Sequence, residues 1–367
     1  MKKSFLKYGL LSISLLLAAC SSTEETPEEI SPEEEPVEQP AEDATAGEEE
    51  VDGQEVTGVT IKAMYTAPHG NQSFASTFVV MDGETIFDVS LDEYQFMEGD
   101  DWEGVPNTDG GFAEGYAEEL TLISKRENSD GYSAMMTDIA ESTTSYEDNL
   151  DAIQDFAIGK TIAEVEDAIA ELDGLGEDDD IADVVSGATF VDTNGYLQAI
   201  VDTAKDGFEF AGAEADLGNA ELSASLQAPH GDKSFAIVAV LHDGENVLAA
   251  AMDELQFLDP ESFDGVPNSD AAFGENYNTD VVLASKMQND EAYSTMMADI
   301  ADATMTYSES MLAIVEYAAG STVTEIEEAA DDLEGLGEDE EITDVVSGAT
   351  FVDTDGYLEA ITETVNQ

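Results

Sequence analysis

The eleven residues DVVSGATFVDT occur at Asp183–Thr193 and again, unchanged, at Asp344–Thr354. Three shorter motifs recur with the same offset of 161 residues: APHG at 67–70 and 228–231, GVPN at 104–107 and 265–268, and GLGED at 174–178 and 335–339. Repetition at a fixed offset predicts two structural units of one kind. We therefore predict a domain at residues 57–205, a linker at 206–217 and a second domain at 218–367.

Each half begins with a pattern typical of strands and continues with a pattern typical of helices. Residues 58–67, 73–83 and 85–96 alternate apolar and polar side chains, and residues 121–125 and 281–286 predict further strands. Residues 132–159 carry apolar side chains at helical spacing, and Thr161 with Glu164 forms a capping-box pattern, repeated at Thr322 and Glu325. The predicted fold class is α+β, with antiparallel strands first and helices later, after a disordered acidic tether.

The N-terminal segment MKKSFLKYGLLSISLLLAAC has the features of a targeting segment. Three lysines precede an apolar run, and small residues precede Cys20, which predicts a signal peptide at 1–19. Leu17–Cys20 resemble the lipobox of bacterial lipoproteins, in which the cysteine carries the lipid. Residues 20–56 are dense in Glu and Pro, so we expect an extended, disordered tether. The predicted location is the cell membrane, lipid-anchored on the extracellular face, in a Gram-positive cell.

Charge excludes one class of partner. The chain has 85 acidic and 10 basic residues, a net charge of −75, so its surface repels nucleic acid. Cys20 is the sole cysteine, which excludes an intramolecular disulfide. An EF-hand alignment of the DTNG and DTDG segments would place Phe190 or Phe351 at the first ligand position, so no metal site is predicted.

The motif SGAT has a physical interpretation of its own. Gly187 and Gly348 permit a positive φ or a close backbone approach. The hydroxyls of Thr189 and Thr350 then follow a turn and precede a helix, where backbone N–H groups can bind an anion. From the residues alone, the segment is either a turn that caps a helix or an attachment point for a phosphate-bearing group.

The segments Asp183–Thr189 and Asp344–Thr350 resemble the D-x-x-S-G-A-T signature of the FMN-binding domain family. With the lipobox and the tether, the chain resembles the tandem flavinylated surface lipoproteins of Gram-positive extracellular electron transfer. The resemblance implies two FMN groups, bound covalently as phosphoesters to Thr189 and Thr350 by a flavin transferase of the ApbE type. It also implies a role at each site for the other motif residues: Asp183, Ser186, Gly187, Ala188, Asp344, Ser347, Gly348 and Ala349.

A second set of repeated residues is a candidate for flavin contacts. Lys125 and Lys286 are the Lys or Arg residues at equivalent places in both halves, and each precedes a repeated Tyr and Met. Aromatic and thioether side chains can face a flavin ring, and an ammonium can donate to it. The candidates are Lys125, Tyr132, Met135, Lys286, Tyr293 and Met296. The alternative is a strand-end Lys in a surface ion pair, with the Tyr and Met in the core.

The resemblance implies an electron carrier between a membrane quinone and dehydrogenase system and extracellular acceptors such as ferric iron or free flavins. We expect an electron-transfer flavoprotein rather than a turnover enzyme, and predict no catalytic residues. Two alternatives stay open: a solute-binding lipoprotein of a transporter, and a pheromone-precursor lipoprotein whose peptide would come from residues 11–18.

Overall fold

Two antiparallel sheets organise the part of the chain that the computed structural model describes, residues 58–176, 179–337 and 341–367. The predicted signal peptide (1–19), Cys20 and the predicted tether (20–56) lie outside the described residues. The first sheet has the order β4-β3-β2-β1-β5 and the second the order β6-β7-β8-β9. The strands are β1 (Thr60–Thr66), β2 (Ser73–Asp82), β3 (Thr85–Glu98), β4 (Leu120–Ser124), β5 (Phe208–Ala211), β6 (Glu221–Gln227), β7 (Ser234–His242), β8 (Val247–Leu258) and β9 (Val282–Ser285).

In the described residues of each half, four α-helices follow the strands. They are α1 (Ser129–Ala140), α2 (Tyr146–Ala157), α3 (Ile162–Asp173) and α4 (Thr193–Asp206), then α5 (Asp290–Ala301), α6 (Tyr307–Ala318), α7 (Val323–Glu334) and α8 (Thr354–Val365). The predicted α+β class, with antiparallel strands first and helices later, is confirmed. No helix in the described ranges combines the length and apolar character that a membrane span requires.

A glycine turn joins β2 to β3, and the two capping boxes predicted from the sequence are present. Gly83 has a φ of +60° in the turn between β2 and β3, where Asp82 pairs with Thr85. Thr161 accepts a hydrogen bond from the backbone of Glu164, whose carboxylate accepts one from the backbone of Thr161. The same reciprocal cap begins α7. These caps satisfy backbone groups that a helix cannot satisfy itself.

Two segments differ in detail from the sequence pattern. Residues 132–159 form two helices, because Glu141 takes a left-handed conformation that ends α1 and the chain then caps α2 with Ser145. Within 206–217, predicted as a linker, Phe208–Ala211 forms β5 and pairs with β1. The connection between the halves is therefore partly a strand of the first sheet.

The first sheet is covered on both faces. Along β2, Ala75 and Val79 pack in a core with α2 and α4, whereas Phe74 and Phe78 point to the opposite face. That opposite face packs against the second half of the chain. Burial on both faces explains why nine of the ten residues of β2 are buried, rather than every second one.

The repeated GVPN and APHG motifs make reciprocal contacts between the halves. Asn107 donates from Nδ2 to the backbone oxygens of Gly231 (2.9 Å) and Ser234 (2.7 Å). In return, Asn268 donates to the backbone oxygens of Gly70 (3.2 Å) and Ser73 (2.6 Å). Both asparagines have a φ of +67°, a conformation that asparagine tolerates better than most residues. Each half therefore holds the loop between the first two strands of the other.

A cluster of aromatic rings fills the space between the halves. The Phe112 ring lies 5.2 Å from Phe235 and 5.0 Å from Phe257, measured between centroids. Phe273 lies 5.2 Å from Phe74 and 5.0 Å from Phe96, in the reciprocal arrangement. Rings at these separations contribute to stability beyond the area that they bury.

Because this cluster is shared, we predict that the halves unfold together. Phe112→Ala should lower the free energy of unfolding by about 3–5 kcal/mol, the usual cost of removing a buried ring. Calorimetry should still show one transition, as it should for Ile153→Ala, a control in the core of the first half alone. Two separate transitions in the wild type would contradict the shared core.

Candidate functional site

The repeated threonines lie on exposed loops that α2 and α6 hold in place. Thr189 and Thr350 are exposed, while the preceding Ala188 and Ala349 are fully buried. Gly187 and Gly348 have φ values of +96° and +91°, which confirms the left-handed backbone predicted for them. A Cβ on Gly187 would lie 3.1 Å from that of Ala152 on α2, so this glycine also permits the close approach. The motif anchors the loop through its alanine and presents the threonine outward.

Each threonine hydroxyl lies within hydrogen-bond distance of a polar side chain of α2 or α6. Asn149 is buried in α2, and its Oδ1 accepts hydrogen bonds from the backbone N–H (2.6 Å) and the hydroxyl (3.0 Å) of Thr189. In the second half, the hydroxyl oxygens of Thr350 and Ser310 are 2.7 Å apart. The backbone N–H of Thr189 is therefore occupied by Asn149 and is not free for an anion, contrary to the sequence-based interpretation.

A pocket opens beside each threonine. The first has a volume of about 350 Å³ and the second about 280 Å³, near the lower limit of typical ligand pockets, roughly 300 Å³. The first pocket is lined by His69, Glu93, Lys125, Tyr132, Met136, Ala140–Thr143, Tyr146, Thr189–Asp192 and Tyr196. The second is lined by His230, Glu254, Lys286, Tyr293, Met297, Ala301–Met305, Tyr307, Thr350–Val352 and Tyr357. Each pocket takes its wall from one half.

The structure brings some predicted site residues together and leaves others outside. Thr189, Lys125 and Tyr132 share the first pocket, and their equivalents Thr350, Lys286 and Tyr293 share the second. The methionines in the walls are Met136 in the first pocket and Met297 and Met305 in the second, rather than the predicted Met135 and Met296. Tyr132 and Met136 are four residues apart and so share a helix face, whereas Met135 points elsewhere. Five motif residues lie outside the two pocket walls and are exposed on the surface: Asp183, Ser186, Gly187, Asp344 and Ser347.

A buried ion pair forms the floor of each pocket. Lys125 Nζ lies 3.0 Å from Glu93 Oε2, and Lys286 Nζ lies 2.7 Å from Glu254 Oε2. Both side chains of each pair are at most 1% exposed, so the alternative of a surface ion pair is wrong. Each ammonium also faces an aromatic ring, with Lys125 Nζ 4.8 Å from the centroid of Tyr132.

Hydroxyl donors complete the surroundings of the carboxylate. Glu93 accepts hydrogen bonds from Tyr196 (2.7 Å), Tyr146 (3.1 Å) and Ser73 (2.9 Å). Burial raises the pKa of Glu93, but the ammonium of Lys125 and the Tyr196 hydroxyl outweigh it, so the pKa lies below its ordinary value. Burial lowers the pKa of Lys125, but Glu93 outweighs it and the pKa is raised. Both partners are therefore charged in the folded protein.

A neighbouring aspartate fixes the loop that carries each lysine. Asp92 accepts hydrogen bonds from the Ser124 hydroxyl and the Arg126 backbone N–H, the residues on either side of Lys125. Asp253 makes the same contacts beside Lys286, with the Ser285 hydroxyl and the Met287 backbone N–H. Burial raises the pKa of each aspartate to about 6. The position of each lysine thus depends on the aspartate beside it, Asp92 or Asp253.

Histidine–aspartate pairs lie at the rims. His69 Nδ1 is 2.7 Å from Asp192 Oδ2, and His230 pairs with Asp353 in the same way. About half of each imidazole is exposed, so these side chains lie at the surface and not in the core. The pairs connect the APHG loop to the start of the last helix of each half, and so close one side of the pocket.

Sequence reasoning missed the acid at the centre of each site. Glu93 and Glu254 occupy equivalent positions in D-E-x-Q-F segments, within strands whose neighbours are apolar. An identical acid at a buried strand position in both halves was an available signal. The tyrosines Tyr146 and Tyr196 were likewise repeated at Tyr307 and Tyr357.

The residues present fit a flavin attached at the threonine. The hydroxyl is accessible, the pocket beside it has aromatic and thioether walls, and an ammonium lies at its floor. Among the described residues, no group of three or more His, Cys, Asp or Glu is arranged to hold a metal ion. Comparisons with models of protein families, with curated proteins and with solved structures gave no match for this chain.

The buried pair makes a testable contribution to stability. Lys125→Met should lower the free energy of unfolding by about 3–5 kcal/mol, because Glu93 keeps a buried charge without its partner. Glu93→Gln should lower the free energy of unfolding by a similar amount, because the buried ammonium of Lys125 then has no charged partner. The double variant should lower the free energy of unfolding by much less than the sum of the two single variants, because neither buried charge remains. Urea unfolding of the four proteins measures this coupling, and additive costs would show that the two side chains do not form a pair.

The aspartate beside the pair predicts a pH dependence. Because the folded protein raises the pKa of Asp92 from 3.8 to about 6, it binds the proton more tightly than the unfolded chain. The contribution of the protonated Asp92 carboxyl to the free energy of unfolding is therefore present at low pH and is lost as the pH rises towards 6. Asp92→Asn, which stays neutral, should gain stability relative to the wild type between about pH 4 and 6. Asp138→Asn on the surface serves as the control, and a gain of equal size there would refute the assignment.

Proposed function

We propose that this protein is a cell-surface electron carrier that holds two FMN groups, each attached by a phosphoester to a threonine, at Thr189 and Thr350. Each half is then an FMN-binding domain of one family, loaded by a flavin transferase of the ApbE type. Electrons arrive from a membrane quinone and dehydrogenase system and leave to extracellular acceptors such as ferric iron or free flavins. Cys20 carries the lipid that holds the protein at the extracellular face of the membrane.

One observation carries the proposal. In both halves, the threonine of the SGAT motif presents its hydroxyl at the rim of a pocket with the same lysine, glutamate and three tyrosines. A turn that only caps a helix, the other interpretation of the motif, requires neither the pocket nor the exposed hydroxyl. The bound group supplies the capacity to accept and release electrons.

The chain's own residues have distinct roles in this proposal. Asn149 and Ser310 orient the threonine hydroxyls by hydrogen bonds. The lysine provides a positive charge at the pocket floor, which offsets the surrounding carboxylates. Its own glutamate partner reduces the field of that charge, so it acts over a short distance. The tyrosine and methionine side chains provide apolar walls.

The arrangement also bears on the alternatives. A solute-binding lipoprotein with two lobes would hold its ligand between them, whereas each threonine pocket of this chain is lined by one half. A pheromone precursor would use residues 11–18, which lie outside the described residues. Separate pockets support independent loading of the two sites, even though the halves share a core.

The flavin content can be tested by mass. The protein from its native host, or produced together with a flavin transferase, should carry two FMN groups on peptides that contain Thr189 and Thr350. Thr189→Val should remove one group and leave the second near full occupancy. Thr143→Val is the matched control, since it removes another hydroxyl from the first pocket wall and should leave both groups in place. A chain without flavin beside an active transferase would refute the proposal.

A further inference from the structure

Exposed large apolar side chains are concentrated beside the two pockets. Among the described residues, five such side chains are exposed: Ile139 (71%), Val191 (82%), Phe208 (40%), Ile300 (71%) and Val352 (86%). Four of the five form two equivalent pairs, Ile139 with Val191 and Ile300 with Val352. Single exposed apolar residues are ordinary on a protein surface, but repetition of the same pair in both halves is a pattern.

Each pair belongs to the mouth of a pocket. Val191 and Val352 are themselves part of the pocket walls. Ile139 directly precedes the segment Ala140–Thr143 of the first wall, and Ile300 precedes Ala301–Met305 of the second. Each mouth thus carries an apolar side chain on each of two segments. We call these surfaces the pocket mouths.

The pocket mouths are also acidic. Glu141 and Asp192 line the first pocket, and Asp302 and Asp353 line the second. The exposed Asp138 and Asp299 lie on the helices directly before Ile139 and Ile300. The sign of the charge is retained at all three positions, although Glu141 is replaced by Asp302. The cation nearest to each mouth within the pocket, Lys125 or Lys286, is buried and paired with a glutamate. Each mouth therefore combines an apolar centre with a negative rim.

The charge restricts what can cover such a surface. A second copy of a chain with a net charge of −75 would be repelled, and so would residues 20–56 of the same chain, which are rich in glutamate. A protein with an apolar patch ringed by Lys or Arg has the complementary surface. Electron-transfer complexes are small and transient, and they combine weak apolar contact with charge steering.

We propose that each pocket mouth is the docking surface for a redox protein that presents an apolar patch surrounded by Lys and Arg. This inference rests on the proposed function, because docking at the mouth brings the partner next to the threonine that carries the flavin. Ile139 and Ile300 supply apolar contact, and the mouth carboxylates supply steering and orientation. Two mouths allow two partners to bind one chain.

Binding is tested with a cationic c-type cytochrome as the probe, on the full chain with and without flavin. Ile139→Ser combined with Ile300→Ser should weaken cytochrome binding about fivefold to tenfold at unchanged net charge. Neutralising four mouth acids (Asp138→Asn, Glu141→Gln, Asp299→Asn, Asp302→Asn) should weaken it at least as much. The matched control neutralises four exposed acids outside the pocket walls, Glu118, Glu119, Glu245 and Glu261, each to Gln, and should have a smaller effect.

The outcomes separate this inference from the proposed function. Binding to the flavin-free chain does not require FMN, so docking at the mouths can hold even if no flavin is ever attached. Equal effects of the mouth and control acids would show binding to overall charge and would overturn the inference. Unchanged cytochrome binding by the isoleucine variant would also overturn the inference. A loss of flavin loading in the isoleucine variant would assign the mouths to the transferase instead.

Discussion

A buried charge on β3, and an equivalent one on β8, sets the arrangement around it. Glu93 and Glu254 lie inside a chain that already carries 85 acidic residues, and a buried carboxylate is costly unless it is paired. The partners of Glu93 come from four separate elements: a serine that begins β2, a lysine that follows β4, and tyrosines of two helices. Glu254 has the equivalent serine and lysine and the tyrosine of the last helix. Satisfying one carboxylate therefore fixes the strands, the helices and the pocket floor relative to each other.

The packing on the two faces of the first sheet explains how the halves combine. Helices cover one face of the first sheet and the second half covers the other, so its central strand is apolar on both faces. Asn268 then holds the backbone of Ser73, whose hydroxyl donates to Glu93. The floor of the first pocket is thus supported by a residue of the second half, although no residue of that half lines the pocket wall.

The sequence predicted the local features and the repeated motifs better than the long-range contacts. Capping boxes and the conformations of Gly187 and Gly348 depend on neighbouring residues, so short patterns were sufficient. Lys125 stood out because basic residues are rare in this chain, but its partner Glu93 was one acid among many. The contact between Asn107 and Gly231 joins residues 124 positions apart, and nothing local indicates it. The aromatic cluster between the halves was missed because each ring alone is typical of an ordinary core.

The reciprocal asparagine contacts limit how many units of this kind can associate. Each half offers one asparagine and one loop of backbone acceptors, and the pairing of the halves uses both, as in a closed dimer with twofold symmetry. A head-to-tail contact would instead leave an unused donor at one end and an unused acceptor at the other, to which further units could add. A third unit appended to this chain would find no unused asparagine donor and no unused loop acceptor of this kind. The arrangement therefore terminates at two, and a longer chain of such units would have to grow by whole pairs.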